Sequence, residues 1–455
     1  MCQILATLQR GRIRGPPSLT AAPFALALLL AASPARGESA IQLDGTLALN
    51  FNTTAPARSD LALDPTEPPP APASRQASVE IRPAVTFQSG SPRLVWRIGY
   101  LFAGSLGVLE SNVATYSNQL SASVAAQLSP RSFLSVSGGL VQGSTAFQLT
   151  QAPADAGAPS IRAPGSPAQV TATLGQSYGW EASPDLRLTQ GLSGTVVAPQ
   201  YALDRSNSQL VGSLVLDHVR PSDAFGGEFA PSVSWLRPVT AGGAQYLSVT
   251  NSLLGRWSHD VDPRWSGQLR VGVAQVVTLA GSYPLAIVPT GGATARYQAD
   301  GAGGSVTVTY GPTTDLQTGT VTQAGQALVR GFYDFDRFQP RQLAASAGFL
   351  RSRPIGQVGL AVAAGTGDAL QGDVGLVWGL MDDVLLTARY SLAYQFNQPT
   401  GLAPSLTHVL LVGVTARYSS ARYFPPMPTL GPRVDGGDTV GFPESGARRT
   451  RPTSP

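Results

Sequence analysis

Three histidines, His218, His259 and His408, are the only side chains in this 455-residue chain whose ordinary pKa suits proton transfer near neutral pH. A hydrolase would need one of them beside a nucleophile, usually serine, with a third group to orient the ring. His218 and His259 stand next to turn signals, and His408 falls among apolar residues. Serine is too frequent for any one to be singled out as a nucleophile. The only cysteine is Cys2, and no two histidines stand at ligand spacing, so neither a thiolate nor a histidine metal site is expected. Gly-rich pieces such as 301–304 are not followed by a helical pattern, so they are not phosphate loops. The chain reads as a non-enzyme without cofactor or metal.

What recurs instead is arginine at alternating positions. Arg82, Arg97, Arg187, Arg270, Arg296, Arg389 and Arg417 each fall on the polar face of a segment whose other face is apolar. Asp44, Glu80, Asp217 and Glu228 fall on the same kind of face. Two chemistries follow. Arginines lining a confined pore focus positive potential and favour anionic solutes or acidic sugars. Alternatively they pair with the carboxylates and hold a wall together. The high pI is no argument for nucleic acid: Arg10, Arg12, Arg14 and Arg36 precede residue 38 with no acid among them, and beyond that point arginines balance the 27 carboxylates.

The elements carrying these residues are strands. In Leu254–Val277, Trp265, Gly267, Leu269, Val271 and Val273 alternate with Ser266, Gln268, Arg270 and Gly272, the period of two of a half-buried strand. Residues 259–263 supply the turn. Similar units turn at 127–131, 181–185 and 380–383. Ile41–Phe51 alternates in the same way from the start. Further strands are expected at 79–87, 94–102, up to 129, up to about 144, 170–180, 186–197 and in a hairpin over 208–236. Others follow at 292–298, 304–311, 325–335, 342–351, 356–365, 370–380, 384–396 and 405–418. Short turns (89–92, 129–131, 183–185, 221–223, 260–263, 381–383) alternate with longer loops, among them 53–77, 104–114 and 145–168.

Residues 1–37 read as a secretory signal peptide: arginines, then the apolar 19–32, then small residues before a cleavage near Gly37. Residues 38–418 form the body, and 419–455 a disordered Pro-rich tail. Charged residues make up 13% of the chain, about half the usual share of a soluble protein, which together with the alternation points to strands between two different environments. Hydrocarbon admits only helices or closed barrels, and strands of about ten to twelve residues suit a tilted crossing. A membrane barrel also explains why every second connection is short. Trp96, Trp180, Trp257, Trp265 and Trp378, near short turns, and Tyr418 on an apolar face, fit an aromatic girdle at the bilayer interface.

At the level of architecture, 41–418 resembles the outer-membrane β-barrel proteins of Gram-negative bacteria, porin-like or export-conduit barrels. The segment HVLLVGVTARY, with Gly413, Ala416 and Tyr418, is similar to the carboxy-terminal signal read by the barrel-assembly machinery, although here 419–455 follow it. The expected fold is a transmembrane antiparallel β-barrel of about 18 strands, with 16 to 20 allowed. The resemblance implies outer-membrane lipid and the assembly machinery as partners, a periplasmic export component if the barrel is a conduit, and no nucleic acid. The expected function is a pore for hydrophilic, including anionic, solutes or a conduit for exported polysaccharide. The competing readings are a non-conducting surface barrel whose loops bind a partner, and a barrel hydrolase.

Overall fold

The computed structural model describes residues 38–56, 74–91, 93–108, 114–143, 169–200, 205–237, 245–279, 285–316, 319–336, 340–355, 367–381, 383–396 and 405–420. The expected signal peptide, the bulk of the expected tail, most of the 53–77 and 145–168 loops and the strand expected at 356–365 lie outside them. The strands are β1 (Glu38–Pro56), β2 (Ser74–Ser91), β3 (Leu94–Gly107), β4 (Ala114–Ser129), β5 (Ser132–Gly143), β6 (Gln169–Ser183), β7 (Leu186–Pro199), β8 (Asn207–Val219) and β9 (Asp223–Leu236). They continue as β10 (Tyr246–Asp260), β11 (Trp265–Thr278), β12 (Ala286–Ala299), β13 (Ala302–Asp315), β14 (Thr320–Asp336), β15 (Arg341–Pro354), β16 (Gly367–Met381), β17 (Val384–Phe396) and β18 (Ser405–Ser419).

Each strand pairs antiparallel with its sequence neighbours, and β1 also pairs with β18, so the 18-stranded sheet closes without an edge. β15 pairs directly with β16. β18 runs through Ser419, and the Ser420 amide still donates to the Ile41 carbonyl at 2.9 Å, so ordered structure passes the boundary expected at 418.

The strands are staggered as a closed barrel requires. A row of directly opposed residues starts beside a short turn at Glu181. It passes through Arg187, Asp217, Gly226, Arg256, Arg270, Gly292, Thr309, Gln326, Leu350, Ala369, Gln395 and Ser405, and ends at Pro56 on the opposite rim. A row perpendicular to the strands therefore climbs from one end of the barrel to the other, which is what strand tilt means.

One rim carries only tight connections, among them 130–131, 184–185, 261–264 and 300–301. The turn of 261–264 shows why acids recur there. Asp262 Oδ1 accepts from the Arg264 and Trp265 amides at 2.6 and 2.8 Å, closing the loop with a side chain where the ladder has ended. The other rim carries the longer connections with one exception, 316–319, where sequence alternation predicts a long loop.

The two faces separate cleanly. Outside, large apolar side chains stay uncovered all round the ring: Leu47, Ile81, Leu174, Leu253, Val271, Ile287, Val308 and Leu370, with Ile287 69% exposed. Leaving such side chains in water would forgo about 1.5–3 kcal/mol each, so the belt demands an apolar solvent. Aromatic residues rim it at both ends, Trp180, Trp257, Trp265, Trp378 and Tyr418 near the turns, and Phe51, Tyr116, Trp235 and Tyr310 towards the loops. The other face is interior. Thr314 on β13 reaches Ser234 on β9, and Asn207 on β8 reaches the Leu316 carbonyl, contacts that strands so far apart in a closed ring make only across its inside.

Candidate functional site: the lumen and its mouth

The lumen wall is built from the polar half of each alternating strand, and it has two characters. Over β4–β8 it is uncharged except near the turns. Ser135, Ser137, Ser177, Ser193 and Ser213 present hydroxyls around Gly175 and Gly191 in a shallow depression. Ser137 and Ser193 stand opposite Gly175, and Ser177 and Ser213 opposite Gly191, for a steric reason. A Cβ at Gly191 would stand 2.5 Å from Ser213 Oγ, and one at Gly139 would stand 2.9 Å from Thr173 Oγ1.

Over β8–β11 the wall is charged. Asp217, Arg256 and Arg270 share the climbing row described above, and Glu228 sits beside it. Arg256 lies 3.8 Å from Asp217 and 3.7 Å from Glu228, and Arg270 lies 3.8 Å from Glu228. These separations exceed hydrogen-bond length, so the attraction is coulombic. Gly226 stands between Asp217 and Arg256 in the row, and a Cβ there would collide with the Asp217 carboxylate. The missing side chain opens the path across which the pair meets. Arg256 and Arg270 are directly opposed like charges, and Glu228 interposed between them offsets the repulsion.

The structure places all seven arginines singled out by sequence on the inward face, most of them with carboxylate partners. Arg82 is bonded to Glu80, Arg187 to Glu181 at 2.9 Å, Arg270 pairs with Glu228, Arg389 is bonded to Asp373, and Arg417 to Asp44 at 2.9 Å. Arg97 donates to the neutral Gln88 carbonyl at 2.9 and 3.1 Å. Arg296 projects from β12 between Ser266 and Ser305. The wall-holding chemistry is thus present, while the inner side chains keep contact with water: Arg389 is 38% and Arg270 37% exposed. Arg256, Arg330, Glu181 and Asp373 belong to the same face and were not singled out. The tryptophans Trp96, Trp180, Trp257, Trp265 and Trp378, with Tyr418, all lie on the outer face near the turn rim.

The loop-side mouth is narrowed from within. β12 stops pairing with β13 at Tyr310, but β13 stays paired with β14 as far as Asp315, so the end of this hairpin is released from the wall. Gly311 lets it pass β12, since a Cβ there would lie 2.5 Å from Thr290 Oγ1. Gly319, at φ 68, makes the tip turn in a conformation that other residues rarely adopt. The tip then reaches across the opening. Leu316 and Val321 pack with Val197, Leu236 and Val276, and with Tyr246, Val288 and Ile355 around them. Asn207 donates to the Leu316 carbonyl at 2.7 Å, and the Tyr246 hydroxyl to the Gly319 carbonyl at 2.7 Å. Among the described residues this is the one structure that crosses the lumen.

Two of the histidines have hydrogen-bond partners on the outer face. His259 bonds Asp223 at 2.8 Å and stacks on Trp257, an acid and imidazole pair on the outer turn rim. His408 faces outward and bonds the Tyr390 hydroxyl at 2.7 Å. Among the described residues no cluster of metal-ligating side chains occurs.

A closed ring of 18 strands, apolar outside and polar with accessible charge inside, defines a transmembrane β-barrel of the outer-membrane kind. No protein-family model and no curated protein sequence matches the chain. Among solved structures, the chain is similar to Pseudomonas aeruginosa OccK2 (OpdF), at 12% identity and a TM-score of 0.44 over 83% of this chain and 98% of that one. It is also similar to P. aeruginosa OccK9 (OpdG), at 15% identity and a TM-score of 0.43 over 84% and 99%. The ferric-catecholate import receptor Fiu of Escherichia coli K12 gives 10% identity and a TM-score of 0.42 over 84% and 82%. The assignment to transmembrane barrels rests on the closed ring and its apolar belt.

Proposed function

We infer that this protein is a passive channel for hydrophilic solutes in the outer membrane of a Gram-negative bacterium. The observation that carries the reading is the water-accessible polar lumen inside a predominantly apolar outer belt. The β13–β14 tip makes the loop-side mouth the narrowest point among the described residues. The hydroxyl-lined sector of β4–β8 favours uncharged, hydroxylated solutes such as sugars, and the paired arginines weaken the case for a strong anion filter. An exported polysaccharide would meet the same sector. A non-conducting surface barrel is favoured by one feature, the tip docked across the mouth.

Planar-bilayer recordings separate these readings. The purified protein is expected to conduct, with modest ion selectivity, and absence of any conductance would favour the surface barrel. Arg389 and Asp373 sharpen the test, because both face the lumen and neutralise each other. Asp373→Asn removes the acid and leaves Arg389 uncompensated, so the reversal potential in a salt gradient is expected to move towards anions. Arg389→Glu is expected to move it towards cations, and both variants remain folded because a lumen charge stays hydrated.

Orientation follows from the two rims. The tight turns are expected on the periplasmic side and the longer loops outside. An epitope placed between Ala152 and Pro167 is expected to bind antibody on intact cells. Labelling at Asp382 with none in that loop would invert the topology.

A further inference from the structure

On the outer surface of β6 and β7, two carboxamides face what the rest of the ring makes a hydrocarbon layer. Gln176 stands opposite Val136 and Leu192, and Gln190 opposite Tyr178 and Leu214. Their outward direction is set by residues of the same parity, Leu174, Trp180, Leu192 and Val196, all exposed on the apolar belt. The two glutamines are diagonal neighbours, away from both rims of the barrel. Neither has a hydrogen-bond partner among the described residues. Asn118, also on the outer face, shows how the barrel handles such a group when it can: it accepts from the Tyr100 hydroxyl at 2.8 Å.

An amide in hydrocarbon without a partner is unfavourable, and acyl chains offer neither donor nor acceptor. A carboxamide offers both, so its natural complement is another carboxamide. Gly138 and Gly194 flank Leu174 on its two sides, lowering the surface beside Gln176 where another surface would approach. The outer face of β5–β8 carries no aspartate, glutamate or arginine, so it bears no fixed charge to select a partner of opposite sign. It is complementary to itself.

We propose that the outer face of β5–β8 is a docking surface for a second copy of this chain, with Gln176 and Gln190 of each copy hydrogen-bonding across a two-fold axis. This rests on the membrane-barrel reading above. The chain suits cysteine cross-linking, since Cys2 is its only cysteine. In a Cys2→Ser background, Gln176→Cys, Gln190→Cys and Ala347→Cys are expressed in full, and isolated membranes are oxidised. Ala347 serves as control on the lipid-facing side of β15, across the ring. A disulfide-linked dimer is expected at 176 or 190 and none at 347, and Gln176→Leu with Gln190→Leu is expected to convert the detergent-solubilised dimer to monomer. Equal cross-linking at 347, an adduct with the mass of a different protein, or a dimer that survives the double leucine variant would each overturn the proposal. Fractionation and heat-modifiable gel migration of the same samples judge the underlying reading separately. A chain found in the soluble fraction would overturn that reading and the proposal with it, whereas a membrane barrel without dimers overturns the proposal alone.

Discussion

Leu316→Asp is expected to unblock the channel, raising single-channel conductance several-fold while the barrel still inserts and migrates as a folded species. The tip is held by the burial of Leu316 and Val321 and by hydrogen bonds from Asn207 and Tyr246. Burial contributes about 1.5–3 kcal/mol per side chain and each hydrogen bond about 1 kcal/mol net, so docking amounts to a few kcal/mol. A carboxylate among Val197, Leu236 and Val276 costs several kcal/mol or more, about as much as docking supplies, and release into the water-filled mouth removes that cost. The eighteen-strand ladder lies below the tip and is untouched. Tyr246→Phe removes one hydrogen bond and is expected to give only brief openings. Unchanged conductance in Leu316→Asp would mean that the tip does not limit flow.

Arg256→Ala is expected to have the largest effect on stability. Asp217, Glu228 and Arg256 are nearly buried, with side chains 7%, 14% and 8% exposed. Removing the arginine takes from Asp217 and Glu228 the cation they share and leaves the more exposed Arg270 beside Glu228, a change of about 3–5 kcal/mol when one member of a buried pair is lost. Thermal unfolding of the detergent-solubilised barrel should begin well below that of the parent. Combining Arg256→Met with Asp217→Asn and Glu228→Gln removes the charges together and is expected to recover most of the loss. If Arg256→Ala melts like the parent, water rather than Arg256 compensates the acids.

The wall was legible in the sequence because each strand faces lipid on one side and water on the other. Leu43, Leu47 and Leu49 against Asp44, Thr46 and Asn50 make the parity plain, and the inward arginines follow from it. Arg256 escaped because Leu253 and Leu254 are consecutive, which blurs the alternation just before it. Arg330 escaped because Leu328 and Phe332 share its face. The partners were harder still. Asp373 serves Arg389 across a hairpin, and Asp44 serves Arg417 across the whole chain, pairings that depend on register and on ring closure. The tip was the least legible part. Leu316 is one apolar residue in a polar turn, and nothing local says that Val197 and Leu236 await it on strands far round the barrel.

The seam between β1 and β18 has a consequence for how the chain folds. Its register runs from Gln42 opposite Ser419 to Pro56 opposite Ser405, and Asp44–Arg417 and Thr46–Thr415 fasten it with side chains. Every other pairing joins strands adjacent in sequence and can form early, but this one joins the first strand to the last. The entropic penalty of so long a closure is modest, since each doubling of loop length adds only about 0.6 kcal/mol, but contacts of such separation form late. Until the last strand arrives, β1 presents an unsatisfied row of amides and carbonyls, a template for any other strand. Completion is therefore all-or-none, and the most vulnerable moment of this protein is the interval in which seventeen strands are made and the eighteenth is not.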